Sequence, residues 1–236
     1  MDDGGEAVFG TRAFIFDMDG TLIDNMRFHT QSWLELFSTL GVRIDTEKFC
    51  RQTSGKTTKE TLHQIIGYHL SDVEIKMLSE YKESIYRDLV RPHLKPVAGL
   101  VSFLDSALRL GIPMAVATSA GRRNIEFVLN GMGIAGYFKV VVGGEEVQYG
   151  KPHPEMFLIA AQRLDICPEH CVVFEDSLAG IEAARRARMT AIVVATTLSK
   201  QEVAHVRLVQ KVIEDFTALD PVSLLDITVG NAANLA

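Results

Sequence analysis

Phe14-Ile15-Phe16-Asp17-Met18-Asp19-Gly20-Thr21-Leu22-Ile23-Asp24 (FIFDMDGTLID) runs an apolar segment straight into two carboxylates and a glycine turn. In an extended strand, side chains two apart point the same way, so Asp17 and Asp19 lean toward one cleft as the strand ends. Asp and Gly are also ordinary turn residues. The local sequence does not choose between these readings; partners elsewhere in the chain must.

Downstream, Phe28, Trp33, Leu36, Phe37 and Leu40 give helical spacing from Met26 to Leu40, and Gly41 supplies a stop. Two more helical periods follow, Thr57 to Ile66 and Asp72 to Val90, the latter with Ile75, Leu78, Lys82, Ile85, Tyr86 and Leu89 on one face. Pro92 and Pro96 punctuate the chain, and Leu100 to Leu108 reads as a helix closed by Gly111. After that the character changes. Ile112–Thr118, Lys139–Val142, Cys171–Phe174 and Thr190–Val194 read as buried strands; Arg122–Met132, Pro154–Arg163 and Leu178–Arg186 read as helices between them. Val203–Val212 and Pro221–Val229 declare no clear type, and the tail Gly230–Ala236 is expected to fray.

Strand and helix in alternation predict an α/β fold, a Rossmann-like doubly wound parallel sheet. Its core takes residues 1–24 and 94–236, and an all-helical domain of residues 25–93 is inserted immediately after the two acids. Such sheets bind ligands outside the carboxyl ends of their strands, where a helical lid can close over the cleft.

Composition narrows the function. The 236 residues are 47% apolar with a net charge of −6, and the basic residues are dispersed, which speaks against a nucleic-acid partner. No apolar run is long enough to span a bilayer, and the acidic, glycine-rich start MDDGGEAVFGTR lacks the pattern expected of a signal peptide. Cys50, Cys167 and Cys171 are an odd set with no second pair for zinc, expected to be reduced thiols in a cytoplasmic protein. No apolar stripe stands out for self-association; the oligomeric state is open, with a monomer plausible.

The remaining strand exits supply the partners. Thr118-Ser119-Ala120-Gly121 offers a hydroxyl and free backbone N–H groups at a helix start, a setting for an anion. Gly150-Lys151-Pro152-His153-Pro154 holds one lysine in a loop stiffened by two prolines, and Glu175-Asp176-Ser177 adds two acids. Each alone is equally a helix cap or a solvated charge. Together they are not. Adjoining exits would gather Asp17, Asp19, Glu175 and Asp176 in one pocket, where two carboxylates about 5 Å apart repel by roughly 3 kcal/mol at an effective dielectric near 20. Such a set calls for a cation, and oxygen ligands without a His or Cys cluster point to Mg²⁺. With the metal and Lys151 offsetting charge, Asp17 can attack a phosphoryl group in line, while Asp19 moves protons.

With DMDGTL at Asp17–Leu22, ATSA at Ala117–Ala120, GKPHPEMF at Gly150–Phe157 and VFEDSLAGIEAA at Val173–Ala184, the chain resembles the haloacid dehalogenase superfamily. Within it, the chain is similar to the helical-cap branch of β-phosphoglucomutase and small sugar-phosphate phosphatases. The resemblance implies Asp17 as the phosphorylated nucleophile and Asp19 as acid/base, with the Asp19 backbone carbonyl also on Mg²⁺. It assigns Asp176, assisted by Glu175, to the metal, and Thr118, Ser119 and Lys151 to the transferred phosphate. In the cap it singles out His29 and Trp33 of FHTQSW, Lys82, and the loop Gly55-Lys56-Thr57-Thr58-Lys59.

The chain departs from the mutase at Thr58, which stands where the mutase carries an arginine for the second phosphate, and after the second motif, where Ala120 and Arg122 stand. Losing that guanidinium removes a directed phosphate grip. The expectation is therefore a Mg²⁺-dependent phosphatase of a small phosphorylated metabolite, a sugar phosphate by preference. The alternatives are a β-phosphoglucomutase and, further off, a non-catalytic module that binds a phosphometabolite. Dehalogenation needs neither Asp19 nor a metal cluster.

Overall fold

The computed structural model describes residues 12–53, 57–67, 69–203, 206 and 209–225; at positions 50, 51 and 200 only the backbone is described. Among these residues six strands, β1 (Ala13–Phe16), β2 (Met114–Ala117), β3 (Val140–Val142), β4 (Cys171–Glu175), β5 (Thr190–Val194) and β6 (Val209–Ile213), form one sheet in the order β3-β2-β1-β4-β5-β6. Every pair is parallel. The order reverses between β1 and β4, and a doubly wound sheet opens its ligand crevice at that switch point.

The sequence dictates two dry faces. Phe14 and Phe16 of β1 join one apolar cluster with α5 (Leu100–Arg109) and α6 (Arg122–Gly131). Ala13 and Ile15 join the other, with α7 (Glu155–Leu164) and α8 (Leu178–Arg186). Register sets Phe16 beside Phe174 of β4, their rings stacked 4.6 Å apart at 7°. Offset aromatic stacking of this kind adds about 0.5–1.5 kcal/mol beyond area burial, and here it locks together the two strands that carry the acids.

Between β1 and β2 lie four helices before α5: α1 (Met26–Thr39), α2 (Thr46–Thr53), α3 (Thr58–Ile65) and α4 (Asp72–Val90). Trp33, Leu36, Phe37, Phe49, Leu62, Ile75 and Ile85 form an apolar cluster of their own among these helices. Phe28, Tyr86 and Val90 instead enter the sheet-side cluster, so α1 and α4 rest on the core. Capping boxes set the starts of α3, Thr57 with Glu60, and α4, Ser71 with Glu74.

Three features differ from expectation. Helix α2 has no sequence counterpart because a single large apolar side chain, Phe49, anchors it. Strand β6 forms at the sheet edge, where two central residues, Gln210 and Lys211, face solvent and blur the apolar signal. Val73, Met77 and Tyr81 make an exposed stripe on α4, where none was singled out. The tail Gly230–Ala236 lies outside the described residues. No described helix is long and apolar enough to cross a membrane.

Candidate active site

The Asp17 N–H donates to Phe174 O at 3.0 Å, carrying the β1–β4 ladder one residue past the strand. The chain then turns around Met18, whose carbonyl accepts from Thr21, Leu22 and Ile23 while its side chain is fully buried. Gly20 closes the turn at φ +83°, and a Cβ there would collide with Asp176 Oδ2. Only glycine serves on both counts. The turn thus places Asp17, Glu175 and Asp176 together, with one carboxylate oxygen of each within 4.8 Å of the others.

Lys151 completes this group. Its buried ammonium stands 2.5 Å from Asp17 Oδ1 and also donates to Glu175 Oε1. Glu175 Oε2 accepts from the Asp176 N–H, the Ser177 N–H and the Ser177 hydroxyl, so both its oxygens are held. One ammonium cannot balance three buried acids. Burial, against Lys151 and with Glu175 and Asp19 adding repulsion, pushes Asp17 up to about 7. Burial, then Glu175 and Asp17, pushes Asp176 well above the usual carboxylate range.

Asp19 stands apart in a different environment. Burial opposes its charge, but His29 and Asn25 outweigh that and hold the carboxyl below its ordinary value. Asn25 Nδ2 donates to Asp19 Oδ1 at 2.5 Å and lies 2.6 Å from the Tyr86 hydroxyl. His29 Nε2 is 3.4 Å from Asp19 Oδ1, its ring stacked on Tyr86. Lys82 Nζ contacts His29 Nδ1 at 2.9 Å. An ammonium can only donate, so Nδ1 accepts and the imidazole proton sits on Nε2, facing Asp19.

The other residues singled out from sequence divide. Thr118 is buried and its hydroxyl accepts from the Ala120 N–H; Ser119 is exposed beside it at the β2 exit. Gly144, from the β3 exit, packs so closely on the Ser119 backbone that a Cβ would collide with its carbonyl. Trp33 sits in the helical cluster, with Lys82 Nζ 5.3 Å from its ring centroid. Thr58 opens α3, half-buried. Arg122 is exposed and pairs with Glu126 at 2.8 Å along α6, and it does not join the acids. Gly55 and Lys56 lie outside the described residues, though Thr57 Cγ2 would touch a Cβ on Gly150, one residue before Lys151.

Sequence reading missed three residues here. Asn25 occupies the N-cap position of α1, yet its side chain makes no cap bond and turns to Asp19 and Gly20 instead. Thr196 donates to the Gly20 carbonyl, and Thr197 Oγ1 stands beside the Asp176 carboxylate at that turn. Both follow β5, whose exit offers hydroxyls but no charge to draw notice.

Among the described residues, a six-stranded parallel sheet with a buried acidic centre at its switch point defines a doubly wound α/β protein with its site where such sheets bind ligands. The family model for haloacid dehalogenase-like hydrolases matches residues 14–194, and the chain belongs to that family. It is 34% identical over 178 residues to the fructose-1-phosphate phosphatase YqaB of Escherichia coli, covering 75% of this chain and 93% of the relative. A chloroplastic 5-amino-6-(5-phospho-D-ribitylamino)uracil phosphatase of Arabidopsis thaliana is 32% identical over 213 residues, 90% of this chain; the match spans only 57% of that relative. The solved β-phosphoglucomutase of Clostridium difficile superposes with a TM-score of 0.78 at 28% identity, covering 90% of this chain and 95% of that one. The fold is that of the β-phosphoglucomutase-like branch.

Proposed function

We propose that this hydrolase is a Mg²⁺-dependent phosphatase of small phosphorylated metabolites, working through an aspartyl-phosphate on Asp17. The carrying observation is the division between two acids: Asp17 lies in the cluster against Lys151, and Asp19 lies outside it against His29 and Asn25. The cluster fits the metal. Asp17, Glu175 and Asp176 are buried oxygen donors with one ammonium among them, and the raised proton affinity of Asp17 and Asp176 marks an uncompensated negative site. Bound there, Mg²⁺ would polarise the phosphoryl oxygens and cancel their repulsion with Asp17.

The chain's own residues do the rest. Lys151, with Thr118 and the Ser119 loop, holds the transferred phosphoryl group at the β2 and β3 exits. Asp17 attacks phosphorus in line, its oxygen–phosphorus bond forming as the ester oxygen departs. That oxygen needs a proton, for which Asp19 is placed. His29 and Asn25 favour ionised Asp19 in this arrangement, so the first step requires that Asp19 has taken up a proton beforehand. With His29 in place it is set as the base for the second step, taking the proton from the water that cleaves the aspartyl-phosphate.

Residues 25–93 are then a cap domain on a core of residues 1–24 and 94–236. His29 and Lys82 report its closure directly to Asp19. Fructose 1-phosphate and a 5-phosphoribityl chain share a primary phosphate ester on a polyhydroxylated carbon chain, and this is the substrate class we assign. Unpaired Cys167 and Cys171 suit a reducing cytoplasm.

The mutase reading requires a grip on a second phosphate, and Arg122, turned to Glu126, does not provide it here. A panel of phosphate esters with and without Mg²⁺ tests the proposal, with β-glucose 1-phosphate and a bisphosphate primer in one arm. Mg²⁺-dependent release of inorganic phosphate, greatest for primary sugar and polyol esters, is expected. Glucose 6-phosphate as the main product would favour the mutase, and no turnover of any ester would leave a binding module.

A further inference from the structure

The exit of β5 carries two adjacent hydroxyls, Thr196 and Thr197, that face different parts of the acidic centre. Thr196 Oγ1 donates to the carbonyl of Gly20, in the turn between Asp19 and Thr21. Thr197 Oγ1 stands beside the Asp176 carboxylate at the same turn. A Cβ on Gly20 would lie 3.0 Å from Thr197 Oγ1 and would overlap Asp176 Oδ2, so the carboxylate and the threonine hydroxyl both stand against the bare glycine. Glu175 shows by contrast what a fully held acid looks like, with four donors on its two oxygens. Asp176 is 3% exposed, and its carboxylate rests against the Gly20 turn with the Thr197 hydroxyl beside it.

We infer that Thr196 and Thr197 are positioning residues: Thr197 fixes the orientation of Asp176 for a divalent cation, and Thr196 fixes the Gly20 turn against which that carboxylate rests. The inference rests on the reading of Asp17, Glu175 and Asp176 as a Mg²⁺ site. Its physical content is that a carboxylate ligand binds well only when its rotamer is set beforehand. Outer hydrogen-bond partners of this kind are typically worth about 10- to 100-fold in metal affinity. Thr197 is itself exposed, so replacing its hydroxyl with a methyl group opens no cavity.

The test is a Mg²⁺ titration of substrate-free protein followed by thermal shift, paired with Mg²⁺ activation of p-nitrophenyl phosphate hydrolysis. Thr197→Val is expected to weaken apparent Mg²⁺ affinity about tenfold or more in both readouts, with little change in the metal-free melting temperature. Thr197→Ser, which restores the hydroxyl, is expected to stay near wild type. Thr197→Ala carries the same expectation as Thr197→Val and stands in for it if the valine variant does not fold. A wild-type Mg²⁺ response that Thr197→Val and Thr197→Ala leave unchanged overturns this inference alone. A wild-type protein with no Mg²⁺ response overturns the site reading and this inference together.

Discussion

Lys151 Nζ stands 2.5 Å from Asp17 Oδ1 and in the same rotamer donates to Glu175, so one buried ammonium joins acids from two neighbouring strands. Removing it leaves two buried carboxylates without a counter-charge. Breaking a buried pair in this way costs about 3–5 kcal/mol. Lys151→Met is therefore expected to lower stability by that order in urea denaturation and to abolish ester hydrolysis. Lys151→Arg is not expected to rescue, because a planar guanidinium cannot occupy the same point between the two acids. A Lys151→Met protein of wild-type stability would contradict the pairing.

Metal and pH are linked through Asp17 and Asp176. Burial raises both carboxyls, Asp17 to about 7, above the ordinary value of 3.8. Below that ordinary value both states hold these protons. As pH rises toward 7 the unfolded chain releases them and the folded chain keeps them, so metal-free stability falls across the window. Mg²⁺ needs the ionised acids, so its gain in melting temperature is expected to be larger at about pH 7.5 than at about pH 5.5. Scanning fluorimetry with Mg²⁺ or a chelator reads this; equal gains at both pH values would count against a carboxylate metal site.

His29 holds Asp19 below its ordinary carboxyl value. Replacing the imidazole in His29→Asn lets that value rise, so the ionised base is lost at higher pH and the acid limb of the kcat profile moves up. A fall in kcat of about 10²-fold, the low end for acid–base help, is expected near neutrality, with KM less affected. An unshifted acid limb would separate His29 from Asp19.

Gly180 lies in the first turn of α8, where Ala ordinarily stabilises a helix by about 1 kcal/mol. Here a Cβ would collide with both carboxylate oxygens of Glu175, which are already fixed by Lys151 and the Asp176–Ser177 loop. Gly180→Ala is expected to reverse the usual sign, costing about 1–3 kcal/mol as overpacking does, and to reduce activity. Thermal unfolding decides it, since a gain in melting temperature would mean that Glu175 has room to move.

How much of this was legible in the sequence depends on how each residue announces itself. The parallel sheet was readable because Phe14, Ile15 and Phe16, like Val172, Val173 and Phe174, are apolar on both faces, as only a doubly covered strand permits. The meeting of Asp17 with Asp176 followed from that alternation once β1 and β4 were taken as neighbours. Asn25 and Thr197 could not be read, because a lone amide before a helix or a hydroxyl after a strand looks like an ordinary cap until its partner is in view. Arg122 shows the reverse: a charge beside a phosphate loop is paired instead with an acid four residues along the same helix.

The central claim is the covalent use of Asp17, and its most direct measurement is mass spectrometry of acid-quenched enzyme caught during turnover of a primary phosphate ester with Mg²⁺. The peptide containing Asp17 is expected to carry the mass of one phosphoryl group, on Asp17 and not Asp19, and Asp17→Asn is expected to lose both the label and the activity. Full turnover by Asp17→Asn, or a phosphoryl group found on another residue, would contradict the account.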